Sequence, residues 1–184
     1  ELWRLSNKSK FSNFLDYSVK EKDPNFDIPY PYDSQNIIRL IIGTNSQISL
    51  IDENYSILQL NKDELNNYIK QQISYFDQNE HWSDLLNLYL SCDKNILGLK
   101  IKGSKIPPLE IFSNASNNSL NAKTLVIFLE KNCDIELLQV NLGKEKSSLS
   151  QSTFLCLEEN SSVSHGVVSY GENKSHLLNT LNVI

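Results

Sequence analysis

Apolar and polar positions alternate along this chain in two different rhythms. After a polar opening, "IIRLIIG" is a short run rich in β-branched residues, stopped by Gly43 and Asn45. "SQISLI" and "ENYSILQL" continue the pattern, which predicts two or three short strands separated by turns. The rhythm then changes. Leu65, Tyr68, Ile69, Ile73 and Phe76 recur at helical spacing behind Asn61, a suitable N-cap, with Glu64 three residues later. "HWSDLLNLYLSC" carries Trp82, Leu85, Leu86, Tyr89 and Leu90 on one helical face, with Ser83 or Asp84 near its start to suit the helix dipole. Past Cys92 the helical signal stops. "ILGLKIKG", "PLEIFS", "TLVIFLE", "CDIELLQV", "STFLCLEE", "SVSHGVVSY" and "HLLNTLNVI" follow one another between turns rich in Gly, Asn and Ser. In "CDIELLQV", Cys133, Ile135 and Leu137 fall on one face and Asp134 and Glu136 on the other. In the last segment Leu177, Leu181 and Val183 share a face that Asn179 interrupts. Seven strands without an intervening helix predict an all-β unit.

Upstream, "ELWRLSNKSKFSNFLDYSV" shows patchy helical spacing, and "KEKDPNFDIPYPYDS" reads as an irregular, proline-stiffened connector. "KEKSSLSQS" reads as a solvated loop, and "GTNSQ" as a turn.

One internal repetition says which all-β unit to expect. "LEKNCDIELLQV" from Leu129 and "LEENSSVSHGVV" from Leu157 match at an offset of 28 residues. A fixed offset between strand–turn–strand units marks a solenoid or a sandwich with related halves. Both copies hold Asn at the break, Asn132 and Asn160, a residue that tolerates the left-handed backbone of a tight corner. Stacked coils of this length suit a parallel β-helix, with Glu130 and Glu158 facing water. The left-handed hexapeptide signature is missing, so the expected coil is right-handed. The expected organisation is an N-terminal region of helices and short strands over 1–95, then the first part of the β-helix over 96–184. The chain opens at Glu1, holds no Met and closes on an uncapped strand. These features predict a fragment whose β unit continues, or is covered by another chain, a second copy included.

Composition narrows the function. The chain has 184 residues, 40% of them hydrophobic and 21% charged, enough for an apolar core. A net charge of −5 without a dense Lys/Arg cluster argues against nucleic acid as a partner. No apolar run is long enough to cross a bilayer, and no secretory signal precedes Glu1, so a cytoplasmic location is expected. Cys92, Cys133 and Cys156 are widely spaced and odd in number, which is no disulfide framework; buried small hydrophobes on strands are the expectation. Six Asn-x-Ser sequons, at Asn7, Asn54, Asn114, Asn117, Asn160 and Asn173, are discounted as products of an Asn- and Ser-rich chain.

Residues able to carry chemistry are few. His165 shares a face with Val163 and Val167, and is expected as a hydrogen-bonded core or lining residue rather than a ligand. His176 opens the last strand and is weighed in the same way. His81 suits the polar start of a helix. No spacing supplies three or four converging metal ligands. There is no nucleophile–base order and no Gly-rich phosphate loop. Glu158 and Glu159 are expected to be solvated. No catalytic, cofactor-binding or metal residue is therefore assigned.

The strand region nevertheless resembles a known family. "PLEIFS", "NAKTLVIFLEKNCDIELLQVNLG" and "STFLCLEENSSVSHGVVSYGENKSHLLNTLNV" are similar in succession to the coils of the SufB/SufD iron–sulfur cluster assembly proteins. Trp3 and Arg4 in "ELWRLSNKSKF" resemble the opening of the SufD branch. Departures mark a diverged member: Ile42 precedes Gly43 where Asn is usual, Lys123 stands for Arg, and Ser161 stands for Ala. The resemblance implies a right-handed parallel β-helix and a non-enzymatic scaffold subunit of the SUF complex. It implies pairing with a SufB-like subunit and a SufC-like ABC-type ATPase, the latter through regions absent from this chain. It implies no cofactor on this fragment, the iron–sulfur cluster being handled by the full complex. The alternative is a polysaccharide-active right-handed β-helix enzyme. That class is mostly secreted and lines an exposed groove with acids or basic residues, for which these strands show no cluster.

Overall fold

A computed structural model describes residues 37–42, 48–61, 63–65, 67 and 95–183. Ten strands lie in it: β1 (Ile38–Ile41), β2 (Ser49–Ile51), β3 (Tyr55–Gln59), β4 (Ile96–Gly103), β5 (Leu109–Ala115), β6 (Leu120–Leu129), β7 (Asp134–Gly143), β8 (Ser148–Leu157), β9 (Ser162–Gly171) and β10 (His176–Val183). They form two sheets, ordered β1-β5-β7-β9 and β10-β8-β6-β4-β3-β2. From β4 onward the chain alternates between the sheets, and each strand pairs in parallel with the one two places on. This is a parallel β-helix of about three turns.

The 28-residue offset is its coil. Ile96 lies beside Thr124, Leu120 beside Ser148, Asp134 beside Ser162, and His176 beside Ser148. The structure also shows a shorter period inside that offset. Positive φ recurs at Asn118, Asn132, Lys146, Asn160 and Lys174 (51° to 60°), one residue of each corner. From β5 onward each corner is a four-residue turn with a left-handed third residue, as type II geometry requires. Its fourth position is Ser119, Cys133, Ser147, Ser161 or Ser175. The Ser147 and Ser161 amides donate to the Lys144 and Glu158 carbonyls at 3.1 Å, and their hydroxyls donate to the same carbonyls at 2.6 Å. The half-coil is thus one strand and one corner. Asn132 and Asn160 turn the chain where the sequence predicts.

The core lies between the sheets. Leu97, Leu99, Ile101, Leu109, Ile111, Leu125, Ile127, Leu129, Ile135, Leu137 and Leu155 are buried together there. Cys133 joins them, and Asp134 and Glu136 point away, exposed. The solenoid is closed at one end. β3 turns antiparallel onto β4 and the three-residue β2 onto β3, which stops the parallel stacking. β1 covers β5 in the opposite sheet. Strands preceding residue 96 therefore belong to the same two sheets.

The N-cap at Asn61 is present. Its Oδ1 accepts from the Asp63 and Glu64 amides at 3.0 and 2.9 Å, while the Glu64 carboxylate accepts from the Asn61 amide at 3.0 Å. This reciprocal pair starts a helix at 63–65. Residue 67 is helical as well; the remainder of the two expected helices, the opening segment, the connector and "GTNSQ" lie outside the described residues.

One expectation is corrected. "KEKSSLSQS" is not a solvated loop: Lys144–Ser147 is a corner, and β8 begins at Ser148, with Ser148, Ser150, Gln151 and Ser152 all buried. Their polarity conceals a strand because the ladder satisfies their backbone, with Gln151 turned into the polar interior and Ser148, Ser150 and Ser152 buried on the opposite face of the sheet.

Candidate functional site

The interior is not uniformly apolar. Lys123 of β6 lies beside Gln151 of β8, and Gln151 beside Asn179 of β10. In the facing sheet Ser113 lies beside Asn141, and Asn141 beside Ser169. These six side chains alternate with core residues, so they point inward. They make a polar row down the solenoid axis. Lys123 is 1% exposed and its Nζ donates to the Ile42 carbonyl at 2.9 Å. Ser113 Oγ donates to Gln151 Oε1 at 2.5 Å, bridging two coils. Asn141 Nδ2 donates to Asn179 Oδ1 at 2.6 Å, and Asn179 Nδ2 to Ser169 Oγ at 3.0 Å. Lys123, Gln151 and Asn141 are buried, and burying a lysine and two amides is tolerable only with such partners, while Asn179 at the end of the row is exposed.

A second group flanks the row. Gln139 Nε2 donates to Thr153 Oγ1 at 2.8 Å, and the Thr153 hydroxyl returns a bond to Gln139 Oε1 at 3.1 Å. His165 Nε2 lies 2.6 Å from the same Oε1. A carbonyl oxygen only accepts, so Nε2 carries the proton in this arrangement. Burial holds the His165 pKa below the ordinary imidazole value. His165 is thus the hydrogen-bonded lining residue expected of it.

The row runs out at an open coil. β9 and β10 are the last strands of their sheets among the described residues, and each leaves one backbone edge unpaired. The inward side chains beside that edge are exposed: Val167 44%, Leu181 49% and Val183 60%. Val168 and Tyr170, on the outer face of β9, are exposed as well. Among the described residues the solenoid is blunt where β2 and β3 cap it and presents unpaired backbone at β9 and β10.

A cleft of about 460 Å3 opens on the outer face of the other sheet, lined by Leu60, Glu64, Phe128, Glu130, Cys156 and Glu158 among others. Lys100, Phe128 and Cys156 are successive neighbours across β4, β6 and β8 and form its floor. The Leu60 amide donates to the Gly98 carbonyl at 2.9 Å and brings the chain across that floor. A Cβ at Gly98 would lie 2.8 Å from Leu60 Cδ1, so a larger residue there would push that side chain aside. The carboxylates are already engaged. Lys100 Nζ lies 3.1 Å from Glu130, the Lys131 amide donates to Glu158, and Glu64 caps its helix.

The singled-out residues do not converge. His176 opens β10 on its outer, exposed side, away from His165. Cys133 is buried at a corner, its thiol pKa raised by burial and then by Asp134 and Glu130, while Cys156 is half-buried in the cleft floor. Glu158 and Glu159 are exposed; Glu130 is half-buried against Lys100. His81 and Cys92 lie outside the described residues. Among the described residues no three His, Cys, Asp or Glu side chains gather as a metal site, and no helix is long and apolar enough to cross a membrane. Two sequons gain a structural meaning. At Asn117 and Asn173 the motif is the corner itself, with Asn second, the left-handed residue third and the back-bonding serine position fourth.

No protein-family model, curated protein or solved structure matches the chain.

Proposed function

We propose that the chain is a non-enzymatic scaffold subunit, similar to the SufD branch of the SUF iron–sulfur assembly proteins, that works by pairing with a SufB-like subunit. The resemblance rests on the succession of strand segments from "PLEIFS" to "HLLNTLNV" and on Trp3 and Arg4. The observation that carries the reading is the coil of β9 and β10, which among the described residues leaves two strand edges unpaired with Val167, Leu181 and Val183 exposed beside them. An edge of this kind gains backbone hydrogen bonds and apolar burial together when another strand pair docks on it. The engaged carboxylates and scattered thiols support a binding role over a catalytic one. In this proposal the iron–sulfur cluster is cargo of the whole complex, the ABC-type ATPase binds elsewhere in it, and the location is cytoplasmic.

The test is co-expression with a SufB-like subunit and an ABC-type ATPase, followed by affinity capture on a tag carried by the present chain. Recovery of both partners, reduced by Leu181→Glu with Val167→Glu, is expected. A chain that captures neither, at levels that saturate the tag, overturns the proposal. A second copy of the chain is the competing occupant of the same edge. Light scattering separates the two: a dimer that the double substitution dissolves identifies self-pairing.

A further inference from the structure

Every charged group packed around His165 lies off the inward face that the imidazole occupies. On β7, against which β9 pairs, the inward neighbours are Leu137, Gln139 and Asn141, while Asp134 and Glu136 point outward. Across the interior, β8 offers Gln151, Thr153 and Leu155, and β10 offers Leu177, Asn179 and Leu181. Glu158 and Glu159 stand at one corner of this coil and Glu172 and Lys174 at the next, each group exposed or turned to a partner in the preceding coil. His176 faces outward. Lys123, the interior cation, belongs to a different coil and is held by the Ile42 carbonyl. An imidazolium at His165 would meet no carboxylate, and its new proton, on Nδ1, would have to be solvated.

We infer that the third coil is an acid-labile segment of the solenoid, in which protonation of His165 loosens β9 from β7 and frees the edge that the coil presents. This stands apart from any choice of partner for that edge. The sign follows from the lowered pKa. Neutral imidazole is favoured in the closed coil, so the stabilisation is full above the ordinary histidine value and is lost as pH falls through and below it. Gln139 transmits the change, because the oxygen facing His165 is also the one that Thr153 bonds.

Hydrogen exchange read by mass spectrometry on the whole chain tests this, between about pH 7.5 and about pH 5.5, with intrinsic exchange rates divided out. The β9 peptide is expected to lose protection on acidification, by at most about tenfold per pH unit, the slope of one proton. The β6 peptide is expected to hold its protection. His165→Gln keeps a donor for Gln139 without a titrating group and should flatten the β9 profile, whereas His176→Gln should leave it steep. Flat protection in the native chain, or an unchanged slope in His165→Gln, overturns the inference. Should His165→Gln fail to fold, the imidazole shift of His165 in the native chain decides: titration at or above the free-histidine value overturns it.

Discussion

Asn160 stacks directly on Asn132: its Nδ2 donates to Asn132 Oδ1 at 3.3 Å, and the two backbones share a left-handed conformation, with φ of 57° and 58°. The corner is thus specified twice, once by a residue that tolerates positive φ and once by a side-chain ladder between coils. Lys146 and Lys174 occupy the equivalent place in the opposite row of corners with φ of 52° and 60°. Lysine brings no such tolerance.

Replacing Lys146 by Asn should therefore stabilise the chain, by about 0.5–1 kcal/mol, because left-handed backbone costs ordinary residues roughly 1–2 kcal/mol. Lys146 lies 3.7 Å from Glu145, an exposed pair worth little. The reverse change, Asn132→Val, should cost at least as much. Thermal melts of the two variants check both signs.

Gly103 should tolerate nothing larger. Its φ is 107°, and a Cβ there would lie 2.1 Å from the Asn54 carbonyl oxygen, a backbone atom with no rotamer to escape into. Gly103→Ala should destabilise by about 2–3 kcal/mol, strain and overlap acting together. Urea unfolding with an unchanged m-value would show that the loss lies in the folded state.

The Gln139–Thr153 pair should show strong coupling. Gln139→Leu alone strands the Thr153 hydroxyl and His165 in the interior and should cost about 1–3 kcal/mol. Adding Thr153→Val should recover part of that loss, since an apolar pair asks for no hydrogen bonds. A double-mutant cycle by denaturant unfolding measures the recovery, and simple additivity would contradict the pairing.

The thiols should differ in reactivity. Cys133 is buried and its pKa is raised by that burial, then by Asp134 and Glu130, whereas Cys156 is half-buried in an open cleft. Brief alkylation of the native chain, mapped by peptide mass, should label Cys156 ahead of Cys133. Unfolding should erase the difference.

The strands were legible in the sequence wherever apolar residues alternated with polar ones, as in "CDIELLQV", and the coil length was legible because "LEKN" and "LEEN" recur. The half-length period was not. Its signal is spread over Asn, Lys, Ser and Cys, which share a backbone conformation or a position but not a chemistry. "SLSQS" hides its strand for a related reason: Gln151 is buried in the interior and Ser150 and Ser152 on the opposite face, and composition alone assigns such a polar run to solvent. His165 was placed correctly because Val163 and Val167 flank it at strand spacing. Its partner Gln139, 26 residues earlier, is set by coil stacking and has no local signature.

The strict register carries a consequence for how such a chain can lengthen or shorten. Asp134 and Ser162 hold the same place in successive coils. Excising 134–161 would join Cys133 to Ser162 with each later residue still above its proper neighbour, and Lys123 would then meet Asn179 in the axial row. Removing half as much would carry every following strand into the opposite sheet. Whole coils are therefore the unit of insertion and deletion that the architecture permits, and any other length rewrites which residues see water.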